Sequence, residues 1–474
     1  MNADEFRAAG RELIDWIADY IGGVGERPVT PDVEPGDVLA RLPDHPPAAP
    51  ETLADVMRDV DDIVLPATTH WQHPRFFAYF PANTSYASML GDLLSAGLGV
   101  QGMNWVTSPA CTELELRTVD WMAELLDLPA RLRHESPNGG GVIQGSASEA
   151  ALVAILSARW RATNGDVNRT GDTSPLVAYA TTQTHSGFEK GLRVAGIGTE
   201  AIRYVAHDEH FAMRPDVLAE AMAADRDAGR VPFFVCATLG TTSSMAFDPT
   251  PEIAEVCAEH GAWLHVDAAM SGIAALVPEY RWVNDGLDAA DSYCTNPHKW
   301  MGINFDCDLY WTADRHALLG ALSILPEYLR SAAAEVSDAR DLRDWQLPLG
   351  RRFRSLKLWF GLRLDGVEMP QAMIRSHVAM TQQLAEWVAA DDRFEIVAPH
   401  PLNLLCLRLR AGDEATEALI ETVNATREAW FTRTVLDGHP VLRFCIGART
   451  TTPYYVEAAL LLLQRVTPDV QLRS

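Results

Sequence analysis

The sequence predicts an α/β protein: a mostly parallel central sheet covered by helices, preceded by an N-terminal helical arm and followed by a small C-terminal α+β domain. Three observations carry that expectation. From residue 176 onward, short apolar runs such as 176–179, 233–237 and 263–267 alternate with stretches of helical periodicity, the pattern of a sheet buried on both faces. A Pro-rich stretch between Pro28 and Pro50 separates an amphipathic opening segment from the rest. Beyond about Arg354, a helical run at 372–388 is followed by strand-like runs at 404–409 and 441–446. The expected division is 1–85 for the arm, 86–353 for the large domain and 354–474 for the small one.

In order, residues 3–22 place Phe6, Leu13, Ile14, Ile17 and Ile21 at helical spacing; the apolar stripe needs a cover, either a second subunit or its own chain. The Pro-rich stretch cannot form regular helix or central strand. From Thr68 the chain is aromatic, with Trp71, Phe76, Phe77, Tyr79, Phe80, Tyr86 and Trp105 interspersed with Pro74, Pro81 and Asn83. Each aromatic singly reads as core, while the cluster reads as a pocket-lining loop. His70 and His73 lack a cysteine or carboxylate within the cluster, so hydrogen bonding outweighs metal ligation and no metal site is expected. Residues 110–127 read as a helix, and Gln144-Gly145-Ser146-Ala147-Ser148 precedes another over 150–160. Small residues before a helix let backbone N–H groups approach an anion; a plainly capped helix is the alternative.

Composition narrows the function. The formal charge, 39 − 64 = −25, argues against nucleic acid or an anionic membrane as the main partner. Seven dispersed cysteines without a C-x-x-C pair suit reduced thiols. No signal-like start and no membrane-length apolar run is evident, so a soluble, cytoplasmic protein is expected. Neither a Walker motif nor a strand-borne G-x-G-x-x-G occurs.

Only three lysines occur, Lys190, Lys299 and Lys357, against 36 arginines. Arginine supplies charge equally well, but only lysine can lose its proton and condense with a carbonyl. A lysine snorkelling at a strand end is the bland reading of Lys299. Its company shifts the balance: His185, Thr242, Asp267 and Lys299 each follow an apparent strand, and ligands gather at the carboxyl ends of strands in such sheets. An anion-binding turn, an imidazole, a carboxylate and a lysine able to form a Schiff base are the requirements of pyridoxal phosphate.

Longer strings then carry a resemblance. Phe76-Phe77-Ala78-Tyr79-Phe80-Pro81, Gly141-Val142-Ile143-Gln144-Gly145-Ser146-Ala147-Ser148-Glu149, His265-Val266-Asp267-Ala268-Ala269, Asn296-Pro297-His298-Lys299-Trp300 and Pro348-Leu349-Gly350-Arg351-Arg352-Phe353-Arg354 resemble the group II pyridoxal-phosphate-dependent decarboxylases of the aromatic-L-amino-acid decarboxylase family. The resemblance implies the fold-type I, aspartate aminotransferase-like architecture and a homodimer with its active site at the subunit interface. It implies that Lys299 binds the cofactor covalently, Asp267 pairs with the pyridine nitrogen and His185 stacks on the ring. Ser146, Ala147 and Ser148 would cradle the phosphate with Asn296 and His298, and Thr242 would lie beside the cofactor or the substrate carboxylate. Trp71, Tyr79, Phe80, Pro81 and Ala82 would line the side-chain pocket, with Gln101 and Met103 from the partner subunit. A mobile loop over about 325–344 would carry Tyr328, the proton donor to the substrate carbon.

Departures bear on the substrate. Members acting on ring-hydroxylated substrates often carry threonine where Ala82 stands. Gly350 replaces the serine of histidine-specific relatives, favouring an aromatic ring over imidazole. Asn104 is an uncommon polar residue in its stretch. Because relatives lacking the loop tyrosine or the stacking histidine can turn to oxidative aldehyde formation, Tyr328 and His185 together favour decarboxylation of phenylalanine, tyrosine, tryptophan or a hydroxylated relative. An aromatic aldehyde synthase is the alternative, and a cofactor-free scaffold a remote one. Lys357, in an amphipathic run with Phe353, Leu356 and Trp359, is expected to expose its ammonium.

Overall fold

The computed structural model describes residues 1–324 and 340–471. They form two compact units: a terminal unit of Met1–Pro81, Gln383–Ile396 and the chain from Leu407 onward, and a central unit of Ala82–Gln382 with Val397–Cys406.

The central unit is built on a seven-stranded sheet of β1 (Gly140–Gln144), β2 (Leu176–Thr181), β3 (Ile202–Val205), β4 (Val231–Thr238), β5 (Trp263–Asp267), β6 (Ser292–Thr295) and β7 (Asp308–Thr312). Its order is β1-β7-β6-β5-β4-β2-β3. β2 through β6 pair in parallel, and β7 runs antiparallel to both β6 and β1. The expected mostly parallel sheet is therefore present. The strands legible in the sequence, β2, β4 and β5, are almost wholly buried apolar runs. β1 was not legible, because Gly140 and Gly141 have little intrinsic strand preference and extend only against β7. β6 and β7 carry polar residues such as Ser292, Thr295 and Asp308 at buried positions, which breaks the apolar signature.

The helix Ala147–Ala162 packs on one face of this sheet, where Ala150, Val153 and Ala154 meet Val142, Phe234, Cys294 and Tyr310. Its cap is Ser146, whose Oγ accepts the Glu149 N–H at 3.4 Å, while the Glu149 carboxylate accepts the Gly145 N–H at 2.9 Å. Such a cap contributes about 1 kcal/mol. The helix Pro109–Leu125 is capped by Ser108. Just before it, Asn104 Oδ1 accepts the Thr107 N–H at 2.9 Å and Thr107 Oγ1 donates to the Asn104 carbonyl at 3.0 Å. Asn104 thus closes the turn entering that helix, which accounts for a polar residue that is buried there.

Lys357 corrects an expectation. Its ammonium is not exposed: the side chain is fully buried, with Nζ 3.6 Å from both Asp92 Oδ2 and Asp306 Oδ1. The helix Ser355–Phe360 crosses the helix Tyr86–Leu98 at Gly91, where an added Cβ would lie 2.6 Å from the Lys357 Cα. That close crossing covers the lysine stem, and the two carboxylates offset its charge.

In the terminal unit, the arm helix Ala3–Gly23 is closed by a capping box between Asn2 and Glu5 and buries none of its own residues. Phe6, Leu13 and Ile14 stand exposed while Ile17 and Ile21 are half-buried, so the N-terminal part of the stripe is uncovered in the single chain. The Pro-rich stretch contains only a short 3-10 turn, Leu39–Arg41. A four-stranded sheet follows the order β10-β11-β9-β8, with β8 at Phe394–Ile396, β9 at Leu404–Leu409, β10 at Thr432–Leu436 and β11 at His439–Cys445. The aromatic segment divides by role. Phe76 and Phe77 are fully buried, Phe77 against Phe444 at 4.3 Å. Trp71 and Tyr79 are exposed and stack on each other at 5.6 Å.

Candidate active site

Four neighbouring strands, β2, β4, β5 and β6, end on the same edge of the central sheet, and the loops leaving them carry His185, Thr242, Asp267 and Lys299 in turn. Parallel pairing makes this unavoidable, because strands of one direction deliver their carboxyl ends together. Asp267 is the last residue of β5, in register with Thr238 on β4 and Cys294 on β6. Its Oδ1 accepts the Ala269 N–H at 3.0 Å and faces the Cys294 thiol at 3.8 Å.

Behind Asp267 runs a buried chain of donors that the sequence did not suggest. Trp263 Nε1 donates to Ser292 Oγ at 2.8 Å, and Ser292 Oγ lies 2.9 Å from His265 Nδ1. The other ring nitrogen, Nε2, lies 3.9 Å from Cys294 Sγ. Burial holds His265 neutral, with a pKa down near 4, and pushes the Cys294 thiol well up. The Cys294 thiol, kept protonated, donates toward the Asp267 carboxylate.

Lys299 sits in a single helical turn, Pro297–Trp300, directly after β6. Its peptide is held by Asn83, which sequence reasoning did not single out. The Asn83 side-chain amide donates to the Lys299 carbonyl at 2.6 Å, and its backbone N–H donates to the His298 carbonyl at 2.8 Å. So short a helix leaves its carbonyls without partners of its own, and Asn83 supplies two donors at once. Thr84 and Ser88 extend the strap to Asn304.

His298 is buried and turned inward. Its Nδ1 accepts the Cys307 N–H at 3.0 Å, and burial, with Lys299 nearby, takes its pKa to about 3. A neutral ring accepting at Nδ1 carries its proton on Nε2, 3.0 Å from the Asn296 side-chain amide. Asn296 must therefore offer its oxygen to His298 and direct its NH2 the other way, as a donor. His185 is exposed in the single chain. Its Nδ1 accepts the Gly187 N–H at 3.1 Å, and desolvation lowers its pKa, with Asp267 raising and Lys299 lowering it. Gly187 is required here: a Cβ would lie 2.8 Å from Ser148 Oγ and 3.0 Å from His185 Nδ1.

The structure thus brings Ser146, Ala147, Ser148, His185, Asp267, Asn296, His298 and Lys299 to one end of the central unit. Thr242 is half-buried in the loop after β4, whose shape is set by Thr241 Oγ1 against Ser244 Oγ at 2.7 Å. Gln101 Oε1 accepts the Arg351 N–H at 3.1 Å, beside Gly350; Met103 and Ala82 are half-buried in the same unit. Trp71, Tyr79, Phe80 and Pro81 belong to the terminal unit, where Phe80 lies 5.3 Å from the Arg443 guanidinium. Tyr328 lies outside the described residues. A phosphate-bearing, carbonyl-carrying pyridine fits the groups present: open N–H groups at a helix start, serine hydroxyls, an amide donor, a carboxylate and a lysine.

Comparison with known proteins agrees with this chemistry. Residues 35–410 match the pyridoxal-dependent decarboxylase conserved domain. The chain is 44% identical to the aromatic-L-amino-acid decarboxylase of Bos taurus, covering 99% of this chain and 97% of that protein. It is also 44% identical to a phenylacetaldehyde synthase of Arabidopsis thaliana, covering 98% and 96%. Among solved structures, the Oryza sativa TDC with PLP and tryptamine superposes with a TM-score of 0.95 at 40% identity, over 99% of each chain. Decarboxylases and an aldehyde synthase thus both stand among its relatives. The chain belongs to the pyridoxal-dependent decarboxylases, carboxy-lyases that use pyridoxal phosphate.

Proposed function

We propose that the protein decarboxylates an aromatic L-amino acid to the corresponding arylalkylamine and CO2. The observation that carries the reading is the convergence of Lys299, Asp267 and His185 on one sheet edge, with the lysine peptide strapped by Asn83. When bound, pyridoxal phosphate supplies an electron sink for the bond to CO2. This chain's residues do the rest. Lys299 anchors the cofactor and yields to the substrate amine. Asp267, with the Ala269 N–H and the Cys294 thiol donating to it, holds a proton on the pyridine nitrogen. Ser146, Ala147, Ser148 and the Asn296 amide bind the phosphate, His298 fixing Asn296 in orientation. His185 covers the ring, Thr242 flanks it, and Tyr328 delivers the proton that favours amine over aldehyde. Ala82, Gln101, Met103 and Gly350 are proposed to contact substrate, and the stacked Trp71–Tyr79 pair, with Phe80 and Pro81, is an apolar surface suited to an aromatic side chain.

A homodimer is part of the proposal. Tyr86, Leu90, Leu93, Leu94 and Leu98 on one helix are each 42–53% exposed, and the arm helix leaves Phe6, Leu13 and Ile14 uncovered; contiguous apolar faces of this kind mark association surfaces. A cytoplasmic location suits seven buried thiols, and no helix among the described residues is long and apolar enough to cross a membrane. The test is CO2 release from phenylalanine, tyrosine, tryptophan and histidine, with Lys299→Ala and Asp267→Ala as controls. Turnover of an aromatic substrate that both variants abolish supports the reading; turnover of histidine alone overturns it.

A further inference from the structure

Asp308 opens β7, fully buried, opposite Gln144 in the β1/β7 ladder. Residues directly opposite in an antiparallel ladder project to the same face, and Gln144 is followed at once by the Gly145–Ser148 turn. Neither carboxyl oxygen of Asp308 has a hydrogen-bond partner among the described residues, and neither has Gln144 Oε1; Gln144 Nε2 is committed to the Trp345 carbonyl at 2.7 Å. Charged and titratable groups face Asp308 and the turn from several sides, among them Asp306 and Arg354, 3.7 and 4.0 Å from where a Gly145 Cβ would lie. The Glu149 carboxylate, held at the turn by the Gly145 N–H, and the Asp267 carboxylate both oppose its ionisation, with Lys299 the opposing cation. The thiols of Cys294 and Cys307 and the Tyr310 phenol are buried beside it and are held protonated by burial. Burial, then Asp267, raises the Asp308 pKa well above the carboxylate range.

We propose that Asp308 is a positioning residue whose carboxyl is kept neutral beneath the phosphate turn, so that holding the cofactor phosphate requires a proton on this carboxyl. The proposal rests on the assignment of Ser146–Ser148 to the phosphate. A doubly negative phosphate above the turn adds to the field of Glu149 and Asp267, and a charged Asp308 beneath it would meet that field with neither oxygen hydrogen-bonded among the described residues. Binding of the phosphate then takes up whatever proton Asp308 lacks, and affinity falls as that carboxyl ionises. Linkage through one proton sets the limit at about tenfold per pH unit.

The probe is 4′-deoxypyridoxine 5′-phosphate, which carries the phosphate and lacks the aldehyde, so condensation with Lys299 does not enter. Its Kd is measured by fluorescence from pH 6.5 to 9.5 for the wild type, Asp308→Asn and Asp308→Ser. Calorimetry in buffers of different ionisation enthalpy counts the protons taken up. The wild type should lose up to about tenfold per pH unit on its alkaline arm. Both uncharged variants should lose less at every alkaline step and take up fewer protons. Identical slopes and proton counts in all three proteins would overturn the proposal. Ser148→Asp separates the two assignments: it should abolish binding of the probe. Undiminished binding there would sink the placement of the phosphate at this turn, and the proposal with it.

Discussion

Replacing Glu115 by alanine should unfasten β1 from the helix behind it and loosen the phosphate turn that β1 leads into. Glu115 Oε1 accepts both the Ile143 N–H, at 2.9 Å, and the Arg351 guanidinium, and both side chains of that pair are wholly buried. Removing one partner of a buried ion pair costs about 3–5 kcal/mol, and an orphaned buried N–H adds about 1–3 kcal/mol. Water entering the site would offset part of the sum, so we take about 4 kcal/mol as the expected effect. At about 1.4 kcal/mol per factor of ten, that is roughly three orders of magnitude in the local opening equilibrium. Hydrogen exchange of the apoprotein reads it directly at the amides of Val142, Ile143 and Gln144. A double change, Glu115→Leu with Arg351→Met, removes both charges and should recover much of the lost protection, because a well-packed apolar pair often replaces a buried ion pair at little cost. Protection at Ile143 within tenfold of the wild type in Glu115→Ala would refute the reasoning.

Three further outcomes follow from particular contacts. Asn83→Ala removes the 2.6 Å bond to the Lys299 carbonyl, worth about 1–2 kcal/mol; the cofactor should leave the enzyme about tenfold faster after dilution, and an unchanged release rate would show that the strap does not matter. Leu90→Asp with Leu94→Asp, on the exposed face of the helix Tyr86–Leu98, should give a monomer by light scattering, whereas a persistent dimer would locate the association surface elsewhere. His377 accepts from Trp300 Nε1 at 2.9 Å, and burial lowers its pKa to about 4. Between about 6.5 and 4 the unfolded chain binds a proton there that the folded protein does not, so acidification lowers stability, by about 1.4 kcal/mol per pH unit. His377→Gln lacks this sensitivity. From pH 7 to 5 the wild type should lose about 2 kcal/mol more than the variant, and parallel losses would contradict the assignment.

The legible part of the fold was what apolar periodicity records. β2, β4 and β5 announce themselves, and once parallel they bring His185, Thr242 and Asp267 to one edge. Lys299 stood out through lysine scarcity more than through the strand before it, since β6 reads Ser-Tyr-Cys-Thr. What stayed hidden depended on tertiary partners. Asn83 lies 216 residues from Lys299, and nothing local marks it as the strap on the lysine peptide. Cys294 and His265 look like ordinary strand residues until β5 and β6 are set side by side. Lys357 read as an exposed residue of an amphipathic helix, because sequence does not record that Gly91 admits a second backbone over it. Asn104 was an anomaly in sequence and is a turn-closing residue in structure.

The central claim is that this chain yields an amine rather than an aldehyde. The most direct measurement is an aerobic mass balance on holoenzyme given an aromatic L-amino acid, with amine, aldehyde, ammonia and peroxide quantified for the wild type and Tyr328→Phe. The account predicts amine and CO2 in equal amounts from the wild type, with aldehyde and peroxide emerging in Tyr328→Phe. Aldehyde, ammonia and peroxide as the main products of the wild type would contradict it.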